Sequence, residues 1–154
     1  MMDLFIRLEN GNIVGHPYTA ENVRQGFGVD PETNPMFARF YREIQNITPN
    51  VLQKAVSSYG RVNDGWGDVW ESVDLTGDEL TEKQAKINEE ITAFIQRRTE
   101  IATELMNEAT DPADKIVYQN HITYIQSYTV TDFNVPYITY PKLPIKDENG
   151  QWNI

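Results

Sequence analysis

Phe133-Asn134-Val135-Pro136-Tyr137-Ile138-Thr139-Tyr140-Pro141-Lys142-Leu143-Pro144 restricts this chain more than any other stretch. A proline has no N–H to give to a helix or sheet ladder, so three of them interleaved with aromatic and β-branched residues can neither propagate a helix nor fill the middle of a sheet. The segment must lie extended on something, either the chain's own body or a partner.

What precedes it divides by composition near Leu75. Before that point turns and β-branched residues dominate; after it come Glu, Lys, Gln and Ala. Leu4, Ile6 and Leu8 alternate with Phe5, Arg7 and Glu9 up to Asn10-Gly11, a pair suited to the positive φ angles of a type I′ turn. The pattern predicts a hairpin returning through Asn12-Ile13-Val14. Gly15-His16-Pro17 breaks that strand, and Thr19 caps a short helix to Gly26. Phe27 to Pro35 reads as loop and Phe37 to Ile44 as strand. A second hairpin is centred on Asp64-Gly65 between Ala55–Val62 and Gly67–Val73, which would oppose Tyr59 to Trp70, Arg61 to Asp68 and Val56 to Val73.

Thr76-Gly77-Asp78-Glu79 has the form of a capping box and opens a long helix. Ile87, Ile91, Phe94, Ile101 and Leu105 form its apolar stripe, with Arg98 at the position the stripe would otherwise fill. Asp111-Pro112 starts a second helix, whose apolar face is read as Ala113, Val117, Tyr124 and Tyr128, with Ile116 and Ile125 beside it. The fold class is therefore α+β: a small antiparallel β-rich module over residues 1–75, a helical hairpin over 76–129, and an extended Pro/aromatic segment over 130–154.

Charge and residue usage remove several functions. The chain carries a net charge of −10, with ten acids against six bases in residues 1–75 and thirteen against seven in 76–154. Phosphate backbones require clustered Lys and Arg, so nucleic acid is not an expected partner. No cysteine is present, which removes disulfides and thiolate chemistry and fits a reducing compartment. Asp3, Arg7 and Glu9 interrupt the N-terminal apolar residues, unlike a signal peptide. No apolar run approaches the roughly 20 residues of a membrane span, so neither a membrane nor an extracellular location is expected.

The candidate chemical sites are weak. His16 precedes a proline in a turn, and His121 sits mid-helix, where an exposed or capping role is expected; neither has carboxylates at ligand spacing. Asp64, Asp68, Glu71 and Asp74 do not follow the calcium-loop spacing and read as a solvated turn. Ser57-Ser58 lacks a nucleophile elbow, and Gly26-Phe27-Gly28 is not a phosphate loop. The expectation is a non-enzyme without cofactor or metal.

The C-terminal third is aromatic instead, with Tyr118, Tyr124, Tyr128, Phe133, Tyr137, Tyr140 and Trp152. Such residues either seal a hairpin or build a protein interface, and an extended X-Pro segment loses little entropy on docking. Arg98 either covers the stripe with its stem while its head reaches an acid across the hairpin, or orders the tail as a polar anchor.

Arg97-Arg98-Thr99-Glu100-Ile101-Ala102, the break at Thr110-Asp111, a helix with Tyr118-Gln119 and the run Val135-Pro136-Tyr137-Ile138-Thr139-Tyr140-Pro141-Lys142-Leu143-Pro144 together resemble the C-terminal region of phage tail-fibre assembly chaperones. That family closes on an apolar-x-Trp-Pro-x-x-Pro pattern, and Tyr140 stands here at its Trp. Leu4-Phe5-Ile6-Arg7, Gly15-His16-Pro17, Glu21-Asn22-Val23-Arg24-Gln25, Asp68-Val69-Trp70 and Leu75-Thr76-Gly77-Asp78-Glu79 are similar to uncharacterised tail-associated proteins of large tailed phages of marine bacteria. The resemblance implies a protein that binds a fibre polypeptide and shields it until it trimerises, in the host cytoplasm. A structural role in the virion, as a tail or baseplate accessory, is the alternative it implies. On this reading the partner is a tail-fibre or other virion protein, homo-oligomerisation is left open, and the contact residues are Tyr137, Tyr140, Pro141, Pro144 and Trp152, with Arg98 orienting the segment.

Overall fold

The computed structural model describes residues 3–153 and is α+β. It comprises two compact units: one runs to Pro49 and includes Gln53–Val73, the other combines Asn50–Leu52 with the chain from Asp74 onward.

In the first unit β1 (Leu4–Glu9) turns at Asn10-Gly11 into β2 (Asn12–Thr19). Both turn residues have positive φ, 50° and 80°, as a type I′ turn demands. The return strand is longer than Asn12-Ile13-Val14. Between the pairs Arg7↔Val14 and Phe5↔Tyr18 the register shifts, and Gly15, at φ 84°, provides the irregularity that carries the strand past Pro17. Proline is tolerated there because β2 is an edge strand. The alternation read in β1 does not produce one wet face: Phe5 and Ile6 point to opposite faces and both are buried, in a strand that pairs with β3 (Phe37–Tyr41) on the side away from β2.

The helix α1 (Ala20–Phe27) is capped by Thr19, whose hydroxyl accepts from the Asn22 N–H at 3.2 Å, and it ends at Gly28 in the left-handed region. Its Val23 joins Phe5 and Phe37 in the core of this unit, with Tyr18, Ala20 and Val29 packed around them.

Strands β4 (Gln53–Val62) and β5 (Gly65–Asp74) complete a sheet of order β2-β1-β3-β5-β4. The hairpin forms, but its loop is Asn63-Asp64, one residue earlier than Asp64-Gly65. Gly65 and Gly67 are consumed by β5 itself: a Cβ on either would come within 2.5 Å of Arg39 O or 2.7 Å of Tyr41 O, where β5 runs against β3. That contact is parallel, pairing Phe40 with Trp66 and Tyr41 with Gly67, so the sheet is mixed rather than antiparallel. The shifted loop also removes the expected Arg61–Asp68 pair. Arg61 lies over the Trp66 ring, and Asp68, only 4% exposed, accepts from Arg42 Nη1 at 2.8 Å and the Glu43 N–H at 3.0 Å. Asp68 thus secures the connector after β3 and is not part of a solvated turn.

In the second unit α2 (Gly77–Glu108) and α3 (Pro112–Gln126) form the helical hairpin. Thr76 is the N-cap of α2, yet its side chain makes no capping hydrogen bond, so half of the predicted capping box is absent. The cap of α3 forms as read: Asp111 accepts from the Ala113 N–H at 2.9 Å and Pro112 occupies the first turn. Two short strands, β6 (Ile145–Lys146) and β7 (Trp152–Asn153), pair near the C-terminus.

Candidate partner-binding site

The predicted contact residues all lie in the second unit, and the hairpin explains where they sit. Ile87 is buried on α2, and Ile91, Phe94, Arg98, Ile101 and Leu105 are half-buried along the same stripe, joined by fully buried Ala102. The facing surface of α3 differs from the predicted one. His121, Ile122 and Ile125 are buried, flanked by half-buried Val117, Tyr118 and Tyr128, whereas Ala113, Ile116 and Tyr124 are exposed. His121 is therefore a seam residue and neither exposed nor a cap. Its Nε2 has no hydrogen-bond partner among the described residues, and burial, followed by the charge of Arg98, holds its imidazole below the ordinary pKa.

The Pro/aromatic segment docks on this hairpin. Phe94 of α2 meets Tyr140 at 4.5 Å and Tyr128 at 6.0 Å between ring centres, and Tyr128 and Tyr140 complete the triangle at 6.2 Å. Burial raises the pKa of both phenols above its ordinary value. The Tyr128 hydroxyl donates to the Thr139 carbonyl at 3.0 Å, and the Val51 N–H donates to the Val135 carbonyl at 2.8 Å. Pro144 is buried beside Val117, Asn120, His121 and Tyr124, around a cavity of about 270 Å³.

Beyond Pro144 the chain makes its small hairpin. Asp147 shapes the loop: its carboxylate accepts from the N–H groups of Asn149 and Gln151 at 2.9 and 2.8 Å, and Gly150 takes φ 74°. The hairpin returns Trp152 edge-on to Tyr118 at 5.4 Å and beneath the Lys146 ammonium. Lys146 also bonds Asp114 of α3 at 2.6 Å, and this hydrogen bond raises its pKa. The β6–β7 hairpin is not among the elements expected above, and its sequence signal is Asn149-Gly150 between Ile145 and Trp152.

The six predicted contact residues thus separate. Tyr140 is packed on Phe94, Pro141 is half-buried, Pro144 is buried and Trp152 is half-buried on Tyr118, while Tyr137 projects with 71% of its surface exposed. Arg98 carries its guanidinium over the Phe94 ring at 5.2 Å, and among the described residues it has no carboxylate partner. Arg98 and Trp152 meet at one open groove of about 800 Å³, together with Lys142, Leu143, Ile145 and Asn153. No group of His, Cys, Asp or Glu among the described residues could hold a metal ion, and no helix there is long and apolar enough to cross a membrane. No family profile, curated protein or solved structure matches the chain.

Proposed function

We propose that this chain is a protein-binding adaptor whose display element is the segment around Tyr137, and that its partner is a phage tail-fibre polypeptide during folding and trimerisation. One observation supports this reading above the others. Tyr137 lies between two carbonyls held in place, Val135 by Val51 and Thr139 by Tyr128, yet its own ring is exposed. An aromatic presented on a pinned, extended backbone loses little conformational freedom when a partner covers it. The fibre enters through the resemblance of the Arg98-bearing hairpin and the closing proline run.

Deleting residues 130–154 would also strip the cover from Phe94 and Tyr128, so a surface variant is the cleaner test. Tyr137→Ala leaves those packing contacts in place. Co-expression of a tail-fibre polypeptide from the same genome with the native chain should increase its soluble, trimeric fraction, and Tyr137→Ala should reduce that gain. Equal fibre solubility with the native chain, the variant and no chain at all would remove the fibre from the reading.

The docking of Tyr140, Pro144 and Trp152 on the chain's own helices supports a second reading, in which the ready-made surface joins a virion permanently as a tail or baseplate accessory. Stoichiometric copies in purified particles would favour that role; absence from particles would favour the chaperone.

A further inference from the structure

The groove between α2 and the C-terminal segment departs from the charge of the chain around it. The protein is at −10, and residues 76–154 hold thirteen acids against seven bases. Yet the described residues lining this groove include Arg98 and Lys142 and no carboxylate. Neither cation forms an ion pair among the described residues. The third cation nearby, Lys146, is already neutralised by Asp114. The remaining wall is mainly apolar or aromatic, with Leu143 and Trp152 half-buried and Ile145 59% exposed, and exposed Asn153 adds one uncharged polar group.

Two cations with no ion pair among the described residues, beside a mainly apolar wall, match a ligand carrying carboxylates next to a hydrophobic side chain. An open groove suits an extended peptide better than an enclosed small molecule. A nucleic acid would meet the repulsion of the acidic surface outside the groove, whereas a short acidic segment would lie within it. We infer that this groove is a docking site for an extended acidic-and-apolar segment of a protein partner, its carboxylates set against Arg98 and Lys142 and its apolar residue against Trp152 and Ile145. The inference rests on the protein-binding reading above and names the chemistry that the partner must bring.

The test is an immobilised array of random hexapeptides, probed with the full chain and followed by anisotropy titration of the best binder. Selected peptides should be enriched in Asp or Glu adjacent to an apolar residue, and binding should weaken as salt rises. Lys142→Gln should weaken the selected peptide roughly tenfold, as loss of one charge-assisted contact implies. Arg98→Gln should do the same, while Arg98→Lys should retain most of the binding and so separate charge from packing on Phe94. Lys142 is exposed, so its variant reports on the groove even where an Arg98 variant folds poorly. Absence of peptide binding, selection without acidic enrichment, indifference to Lys142→Gln, or tighter binding of a DNA oligomer would each overturn the inference. Peptide binding with an unchanged fibre response would remove the fibre partner and leave the groove; fibre rescue without peptide binding would remove the groove alone.

Discussion

A neutral imidazole in the seam of the helical hairpin ties stability to pH. Burial and the Arg98 charge depress the folded pKa of His121 below its value in the unfolded chain, near 6.5. Above that value both states are neutral and the hairpin keeps its full stability. As pH falls below it the unfolded state binds the proton first, so stability declines until the folded pKa is passed. The helical signal at 222 nm should therefore melt at a lower temperature at pH 5.5 than at pH 7.5, and His121→Leu should flatten that difference while His16→Gln should not. An unchanged slope in His121→Leu would remove the seam histidine as its source. Packing at the same scale predicts that Tyr140→Ala, which empties the ring triangle with Phe94 and Tyr128, costs about 1–3 kcal/mol in denaturant unfolding. His121 was hard to place from sequence because α3 carries apolar residues on two overlapping faces. Ala113, Val117, Tyr124 and Tyr128 make one plausible stripe, but the partner helix selects a face centred on Ile122 and Ile125, which keeps Val117 and Tyr128 at its margin and leaves Ala113 and Tyr124 exposed.

Among the elements, local chemistry was legible at three turns and helix starts, though the Thr76 side chain makes no capping bond and the Asp147 loop was not anticipated. Asn10-Gly11, the Thr19 cap and the Asp111-Pro112 start all form at the positions their residue types dictate. Asp111→Ala should accordingly cost about 1 kcal/mol of hairpin stability, read as a shifted denaturation midpoint. The second β-hairpin shows where local chemistry yields. Asp64-Gly65 is a strong turn signal, but glycine also permits close backbone approach, and the tight parallel contact of β5 with β3 claims Gly65 and Gly67 for that purpose. A turn preference is decided within four residues, whereas that contact depends on a strand more than twenty positions away. Gly67→Ala would put a methyl against the Tyr41 carbonyl and should destabilise the first unit by about 1–3 kcal/mol. Replacement at exposed Gly26, whose Cβ position is open, should be nearly neutral in the same assay.

For the molecule as a whole, composition could place a boundary near Leu75 but could not show that Asn50–Leu52 belongs with the helical unit. That short stretch contributes the Val51 hydrogen bond to Val135, and the Leu52 carbonyl accepts from the Leu75 N–H at 2.9 Å. A fragment of residues 74–154 lacks both donor and acceptor, and should melt at a lower temperature than the same helices in the full chain, by an amount matching about 1 kcal/mol per lost bond. An identical melt at 222 nm would show those bonds to be dispensable. The groove, and which of the expected contact aromatics stays exposed, escaped the sequence for a related reason. Arg98 is distant along the chain from Lys142 and Trp152, and whether a tail aromatic is covered or displayed depends on the helices it packs against.

The excursion of residues 50–52 also bears on inheritance. Because three residues from the middle of the β-rich half complete the helical half, the gene holds no single cut at which both products are whole. A crossover near codon 75 would leave the helical unit with the other parent's residues 50–52, and because Val51 and Leu52 act through backbone N–H and C=O, any residue but proline at position 51 should keep that hydrogen bond.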